Sequence, residues 1–405
     1  MISPLSCSRQ VSHRSRAVES SEFELAHADI VAGRFDQAFD RLKRLPEPVK
    51  NPVEFNYLCG RALQGLTRYD EAEAAFSEAL SYRPDWQEAL LERSRVREKQ
   101  RKYSEAMLDV EQYMVLTSGS SRGYVERARM LMRLRQYGDA KTDWATAIEL
   151  TNAPTAEMYA QKAFCHTNDL EIHEALEDAD RAIAIDQDNF DAWKIRYEAL
   201  WELDPEGSGV ECLVAARRLF ELSPNDPHCA IHLLMELEAN AQNETAAEVA
   251  TQFIADGRAC DNEQIFSLRA NAWYELGEYD KALSDYQTWF GVAAKALISE
   301  SDFVYRGRCY SKLHRWQEAI DDFTTALRFK HDRWTYLDRA EAYLGQGNFQ
   351  APLQDLEQLP PGITSPPFLR EILGIRIACY EKLGQTDQAT QAREQLAALP
   401  ADEES

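Results

Sequence analysis

The chain contains 405 residues, of which 28% are charged and 44% hydrophobic, and its formal net charge is −23 at pH 7. This composition is typical of a folded, mostly helical protein rather than a disordered one. The excess of acids disfavours nonspecific binding to nucleic acid or to anionic membranes, although a local basic patch can override it. Because no stretch approaches about eighteen consecutive apolar residues, the sequence predicts a soluble protein without a membrane span.

The two ends of the chain differ in composition from the rest. Residues 1–18, MISPLSCSRQVSHRSRAV, are rich in Ser and Arg and contain no acid. We expect a disordered tail here, and the same composition is compatible with an organelle transit peptide. Residues 399–405 are expected to form an acidic tail. The cysteines include no C-x-x-C pair, which favours a cytoplasmic location over a disulfide or zinc framework.

A repeat of about 34 residues runs through the chain between these ends. Its clearest mark is an alanine in a constant local setting, found at Ala38, Ala72, Ala106, Ala140, Ala175, Ala282, Ala319 and Ala389. An aromatic residue stands three positions earlier in most copies, and a small residue twelve positions earlier, as at Gly60 and Gly307. Each copy predicts two amphipathic helices joined by a tight turn, such as ELGEYD at 275–280.

Two stretches carry the pattern most fully, namely FSLRANAWYELGEYDKALSDYQTWF (266–290) and VYRGRCYSKLHRWQEAIDDFTTAL (304–327). They resemble the tetratricopeptide repeat, and the resemblance covers roughly residues 19–398. It implies an all-α fold, an α-solenoid in which about eleven helix-turn-helix units form a right-handed superhelix. We expect an array over 19–359 that is irregular around 204–262, a Pro-rich interruption or hinge at 360–367, and a last unit at 368–398.

Cations on the first helix of most units are expected to form structural ion pairs. Six of them are followed sixteen residues later by an aspartate, an offset that brings the two side chains together across an antiparallel helix pair. The predicted pairs are Arg93–Asp109, Arg127–Asp143, Lys162–Asp178, Arg269–Asp285, Arg306–Asp322 and Arg339–Asp355. Arg196 and Arg376 have no aspartate at this offset. Cys309 lies one helical turn from Arg306 and is expected to pack between helices.

A second set of cations gives the candidate binding residues. By the resemblance, the ninth position of each unit faces the concave groove formed by the first helices, which places Arg61, Arg95, Arg129 and Arg308 there. Lys99 and Arg133 follow four residues after two of these and share their face. The segment RSRVREKQRK (93–102) has six basic residues in ten. A solvated helix face balanced by Glu88, Glu92, Glu98 and Glu126 is the alternative interpretation.

The remaining groove positions are mixed in character and suit an extended peptide or a protein surface. They comprise Tyr57, Phe164, Lys194, Glu198, Trp201, Asn271, Tyr274, Glu275 and Lys312. Some members of the family clamp the C-terminal carboxylate of a chaperone with Lys and Asn at set positions. Asn271 occupies one such position, but Ser267 and Tyr305 stand where further clamp residues are needed, so this partner is not expected.

The sequence contains no signature of catalysis. The phosphate-binding, zinc-protease, nucleophile-elbow and dinucleotide-binding patterns are all missing, so we expect no enzyme activity, no cofactor and no metal. The function predicted is a noncatalytic scaffold or adaptor for a protein or peptide, possibly acidic. Charge reversal at Arg61, Arg95 and Arg129 should then abolish binding while leaving thermal stability nearly unchanged. The alternatives are an RNA-binding helical repeat protein, which the overall charge disfavours, and a structural subunit of a larger assembly.

Overall fold

The computed structural model describes residues 21–45, 48–49, 51–203, 209–258, 263–293, 297–359 and 365–400. The expected tail at 1–18 and most of the acidic tail at 399–405 lie outside these ranges, as does 360–364 of the Pro-rich interruption. No residue within the described ranges lies in a strand. The predicted all-α class is therefore confirmed.

Contacts divide the chain into two compact units, Met1–Leu203 and Asp204–Ser405. In the N-terminal unit, α1 occupies residues 21–31. The helices that follow are α2 (Phe35–Lys43), α3 (Pro52–Gly65), α4 (Tyr69–Tyr82), α5 (Gln87–Lys99), α6 (Tyr103–Leu116), α7 (Ser121–Arg133), α8 (Tyr137–Glu149), α9 (Ala156–Asn168), α10 (Ile172–Ile185) and α11 (Phe190–Leu203).

The C-terminal unit continues the same alternation of first and second helices. Its helices are α12 (Val210–Leu222), α13 (Pro227–Ala239), α14 (Asn243–Ala255), α15 (Gln264–Glu275), α16 (Tyr279–Val292), α17 (Glu300–Lys312), α18 (Trp316–Phe329), α19 (Arg333–Gln346), α20 (Ala351–Glu357), α21 (Pro366–Lys382) and α22 (Thr386–Ala397). The division at Leu203 falls at the start of the stretch 204–262 expected to be irregular. α21 packs on α19 and α20, and a hinge at 360–367 stays a prediction.

The turn inside a helix pair has a constant backbone geometry in every pair whose turn the structure describes. One residue adopts a positive φ, for example Gly277 at 77°. The next residue donates its backbone N–H to the carbonyl five positions back, as from Glu278 to Trp273 at 2.9 Å. This is the hydrogen bond that closes a Schellman motif, and it ends the first helix while starting the second. The aromatic residue of the repeat then begins the second helix, as Tyr279 does.

Small residues allow the two helices of a pair to approach closely. The repeated alanines are buried, including Ala72 and Ala319. A Cβ atom added to Gly307 would lie 2.7 Å from Cε1 of Phe323, whose ring is completely buried. The glycine therefore leaves space that the ring fills, and the helix backbone forms part of the core.

The cysteines in the described part of the chain are free, and all of them are buried. Burial raises the pKa of the Cys309 thiol to about 12, so the thiol stays protonated at neutral pH. Because the thiolate is the reactive form, Cys309 is a packing residue rather than a nucleophile.

Candidate functional site

All six predicted pairs lie in contact between the first and second helix of their repeats. The shortest N–O distances are 2.6 Å for Arg93–Asp109, 2.6 Å for Arg127–Asp143, 2.9 Å for Lys162–Asp178, 2.7 Å for Arg269–Asp285, 2.7 Å for Arg306–Asp322 and 2.6 Å for Arg339–Asp355. The arginines donate through Nε and Nη2 to both oxygens of the carboxylate, as Arg306 does to Asp322. Each of these cations is bound to a carboxylate within its own helix pair.

Burial dominates the electrostatics of the Arg306–Asp322 pair. The side chain of Asp322 is only 8% exposed, and burial raises the pKa of its carboxyl even though the Arg306 guanidinium acts in the opposite direction. The pair therefore offsets only part of the cost of placing the carboxylate in the core. Arg306 also packs over the Phe290 ring, with its Cζ atom 3.6 Å from the ring centroid.

In the N-terminal unit, Arg61, Arg95 and Arg129 form a cluster with Glu92 and Glu126, which joins neighbouring repeats. Arg95 lies 2.5 Å from Glu126 and 3.1 Å from Glu92. Arg61 approaches Glu92 at 4.0 Å, and Arg129 approaches Glu126 at 3.8 Å. Since Glu126 is 4% exposed, Arg95 neutralises a buried acid. The structure changes the expectation for this position, because charge reversal at Arg95 would also destabilise the fold.

Three further cations of RSRVREKQRK are bound by acids rather than free for a ligand. Besides Arg93, Arg97 bridges Glu73 and Asp109 at 2.9 and 2.8 Å, and Lys102 contacts Glu73 at 2.6 Å. Sequence reasoning missed Arg97 and Glu73, whose separation of 24 residues differs from the constant offset of the other pairs. Lys99, in contrast, is exposed.

A cleft of about 660 Å³ in the N-terminal unit brings together several predicted groove residues, but not Tyr57 or Trp201. First helices α5, α7, α9 and α11 line it, joined by Tyr137 at the start of α8. The lining residues predicted from the sequence are Lys99, Arg129, Arg133, Phe164, Lys194 and Glu198; those not predicted are Glu98, Met132, Tyr137, Glu157, Ala160, Gln161, Asp191 and Ile195. We call this the α5–α11 cleft.

The α5–α11 cleft has an apolar centre. Phe164 is 42% exposed although it is a large aromatic residue, and Tyr137 packs edge-on against it with ring centroids 6.1 Å apart. Ala160 and Ile195 also line the cleft, although both are buried. An exposed aromatic ring fixed by a neighbouring ring is a typical anchor point for a partner side chain.

In the C-terminal unit, the predicted contacts Asn271, Tyr274 and Arg308 are tied to neighbouring residues. The Asn271 amide donates to Glu238 at 3.0 Å and accepts from the Tyr286 hydroxyl. Arg308 lies 2.8 Å from Asp338.

Tyr274 packs against Tyr305 with ring centroids 5.6 Å apart. Burial raises the pKa of the Tyr274 hydroxyl to about 12, so it stays protonated at neutral pH. Any ligand here would have to displace bonds that already exist.

The described ranges lack two features of other protein classes. No helix there is both long and apolar enough to cross a membrane. The same residues contain no cluster of His, Cys, Asp or Glu side chains suited to a metal ion.

Successive helix pairs, joined by Schellman turns wherever the structure describes the turn, define a helical-repeat protein in which first helices form a surface cleft. Residues 53–85, which span α3 and α4, match the family model described as tetratricopeptide repeat. This helix pair is therefore a tetratricopeptide repeat. No curated protein sequence matches it.

Solved structures similar to this chain include one described as a tetratricopeptide repeat protein. That protein, from Parabacteroides merdae, has 12% identity over 66% of this chain and 98% of its own, with a TM-score of 0.40. MamA from Desulfovibrio magneticus has 19% identity over 42% of this chain and 96% of its own, with a TM-score of 0.39. A human IFIT1 dimer with m7Gppp-AAAA has 15% identity over 76% and 79% of the two chains, with a TM-score of 0.38.

Proposed function

We propose that this protein is a noncatalytic scaffold or adaptor that binds an extended segment of a partner protein in the α5–α11 cleft. The observation that carries the proposal is the exposed Phe164 ring at the centre of a cleft spanning four consecutive first helices. An apolar anchor surrounded by charged groups is the arrangement by which helical repeats select peptide segments.

The charges of the cleft favour protein over RNA as the partner. Its lining includes Glu98, Glu157, Asp191 and Glu198 as well as basic side chains. A phosphate backbone running along the cleft would meet these carboxylates, and its binding depends on cations that neutralise phosphates. The arginines that could have supplied such a row, like Arg127, are engaged with buried aspartates.

The test uses the full chain as bait in affinity purification with mass spectrometry, followed by calorimetry with the purified partner. Phe164→Ala, and separately the triple change Lys99→Glu, Arg129→Glu, Arg133→Glu, are expected to weaken partner binding at least about 30-fold, which corresponds to about 2 kcal/mol. The replaced side chains are exposed or half-exposed, so thermal stability should change little.

A matched control carries the same change in net charge outside the cleft. Arg101, Arg122 and Arg135 are exposed and do not line it, so the triple reversal to Glu there should leave binding within about threefold of the original. Partners retained equally by the cleft variants and by the control would refute the cleft as the binding surface. Recovery of RNA that is lost in the cleft variants would favour the nucleic-acid alternative.

A further inference from the structure

The α5–α11 cleft carries opposite charges at its two ends. Lys99, Arg129 and Arg133 lie at the α5–α7 end with Glu98 as the only acid lining that end among the described residues. Glu157, Asp191 and Glu198 lie at the α9–α11 end, where Lys194 is the corresponding single cation. The apolar surface around Phe164 separates the two groups.

Resting on the proposed function, we infer that the bound segment is itself dipolar. It carries acidic side chains at the end that lies on α5 and α7, an apolar or aromatic residue against Phe164, and basic side chains at the end that lies on α9 and α11. The occupant is a segment of a partner protein, because nucleic acid carries charge of one sign only.

The basic end has charge available for a ligand. Arg133 is 61% exposed and Arg129 is 45% exposed. Arg129 reaches Glu126 only at 3.8 Å, and that acid is already bound by Arg95. Arg133 contacts Glu98 at 3.0 Å through Nε, which leaves its Nη groups for an incoming carboxylate.

The acidic end is likewise incompletely neutralised by its own unit. Lys194 approaches Glu198 only at 3.9 Å, and both side chains are about half exposed. Burial against the walls of the cleft raises the pKa of Glu198, which shows that the Lys194 charge does not compensate the loss of water. A lysine or arginine of the partner placed here would supply the missing counter-charge.

The distance across the α5–α11 cleft sets the length of the bound partner segment. Three helix-to-helix steps of about 10 Å separate α5 from α11. An extended chain advances about 3.3 Å per residue, so about nine residues span the cleft. The centres of the two charged ends are two steps apart, so the acidic and basic side chains of the segment should stand on average about six residues apart.

The charge order can be tested with a phage-displayed library of random peptides of about twelve residues, long enough to span the cleft, selected on the full-length chain. We expect the selected peptides to have acids at one end, bases at the other and an apolar residue between them. Two versions of the consensus peptide are then synthesised, one with its acids and one with its bases replaced by Ala. Fluorescence anisotropy measures each against the original protein, where each replacement should cost on the order of tenfold in affinity.

Two single variants assign each end of the peptide to its end of the cleft. With Arg133→Glu the acid-to-Ala peptide should bind no worse than the consensus, while the base-to-Ala peptide keeps its tenfold loss. With Glu198→Lys the base-to-Ala peptide should bind no worse than the consensus, while the acid-to-Ala peptide keeps its tenfold loss. Both positions are solvent-exposed, so these variants are expected to fold, which circular dichroism checks.

The possible failures are distinguishable. Peptides that lose binding in Phe164→Ala but carry charges of one sign would overturn the dipolar inference while leaving the proposed function intact. Peptides that bind Phe164→Ala as well as the original protein would overturn the proposed cleft itself. A consensus whose charge preference is unaffected by both Arg133→Glu and Glu198→Lys would also contradict the inference.

Discussion

Replacing Arg306 with Met is expected to lower the free energy of unfolding by about 3–5 kcal/mol at pH 7. Asp322 is buried, and its carboxylate oxygens both accept from the Arg306 guanidinium at 2.7 Å. Removing the guanidinium strands a charge in the core between α17 and α18, whereas the Met side chain keeps the contact with Phe290. Chemical denaturation measures the loss.

The stability loss in Arg306→Met should be smaller at acid pH than at pH 8. Burial already raises the pKa of Asp322 above its usual value while Arg306 lowers it, so loss of Arg306 leaves the upward shift unopposed. A native pKa above the unfolded one means that the native state binds more protons between the two values. Stability then falls as pH rises through the native pKa and is regained below it.

A double variant separates pairing from packing at this site. Arg306→Met with Asp322→Leu removes both charges and should recover most of the loss seen in Arg306→Met alone. Fully additive losses would show that the two residues do not act as a pair. The control is Arg315→Met, since Arg315 pairs with Glu318 in the same repeat but both side chains are over 40% exposed; its change should stay below about 1 kcal/mol.

The sequence located Arg306 and Asp322 because a tight turn of constant geometry fixes the register of the two helices. An offset of sixteen residues then means the same spatial relation in every repeat. Ion pairs whose two residues are not sixteen positions apart across the turn of one repeat were not predictable in this way. Asp29 binds Arg34 and Arg41 at 2.7 and 3.3 Å, at separations of 5 and 12 residues instead of sixteen.

The cleft was predictable only in part, for a related reason. Residues on the groove face of a first helix, such as Arg133 and Phe164, follow from the helical period and the position within the repeat. Tyr137 belongs to a second helix, and it reaches the cleft because α8 starts beside α9. Whether neighbouring repeats enclose a cleft depends on the rotation of each pair relative to the last, which small packing differences set and no single sequence motif encodes.

The role of the basic segment RSRVREKQRK (93–102) also depends on how neighbouring repeats pack. The sequence left open whether Arg95 faces a ligand or is balanced by Glu92 and Glu126. The two ends of the Arg95–Glu126 contact are 31 residues apart and belong to neighbouring repeats. Only the packing of α7 on α5 shows that Glu126 is buried, and that burial makes Arg95 part of the fold.

Gly307→Val is expected to lower the free energy of unfolding by about 3 kcal/mol, the upper part of the range for overpacked cores. A Cβ atom at this position would lie 2.7 Å from Cε1 and 3.0 Å from Cδ1 of Phe323. The Phe323 ring is completely buried and cannot move without displacing its neighbours, so α17 and α18 must separate. Thermal or chemical unfolding measures the change.

A second glycine distinguishes crowding from helix propensity. Gly374 lies within α21, is exposed, and has no atom within 4 Å of the position of an added Cβ. Gly374→Val should therefore change stability by no more than about 0.5 kcal/mol, because valine is at least as good a helix former as glycine. Equal losses at both positions would contradict the packing explanation for Gly307.

Shrinking the ring should partly rescue the crowded variant. Phe323→Ala alone is expected to cost about 3–5 kcal/mol, since it opens a cavity beside Gly307. In the double variant the valine methyl groups occupy part of that cavity, so the combined loss should be smaller than the sum of the two single losses. Strict additivity would mean that the glycine and the ring do not compete for one space, and that the close approach of α17 and α18 has another cause.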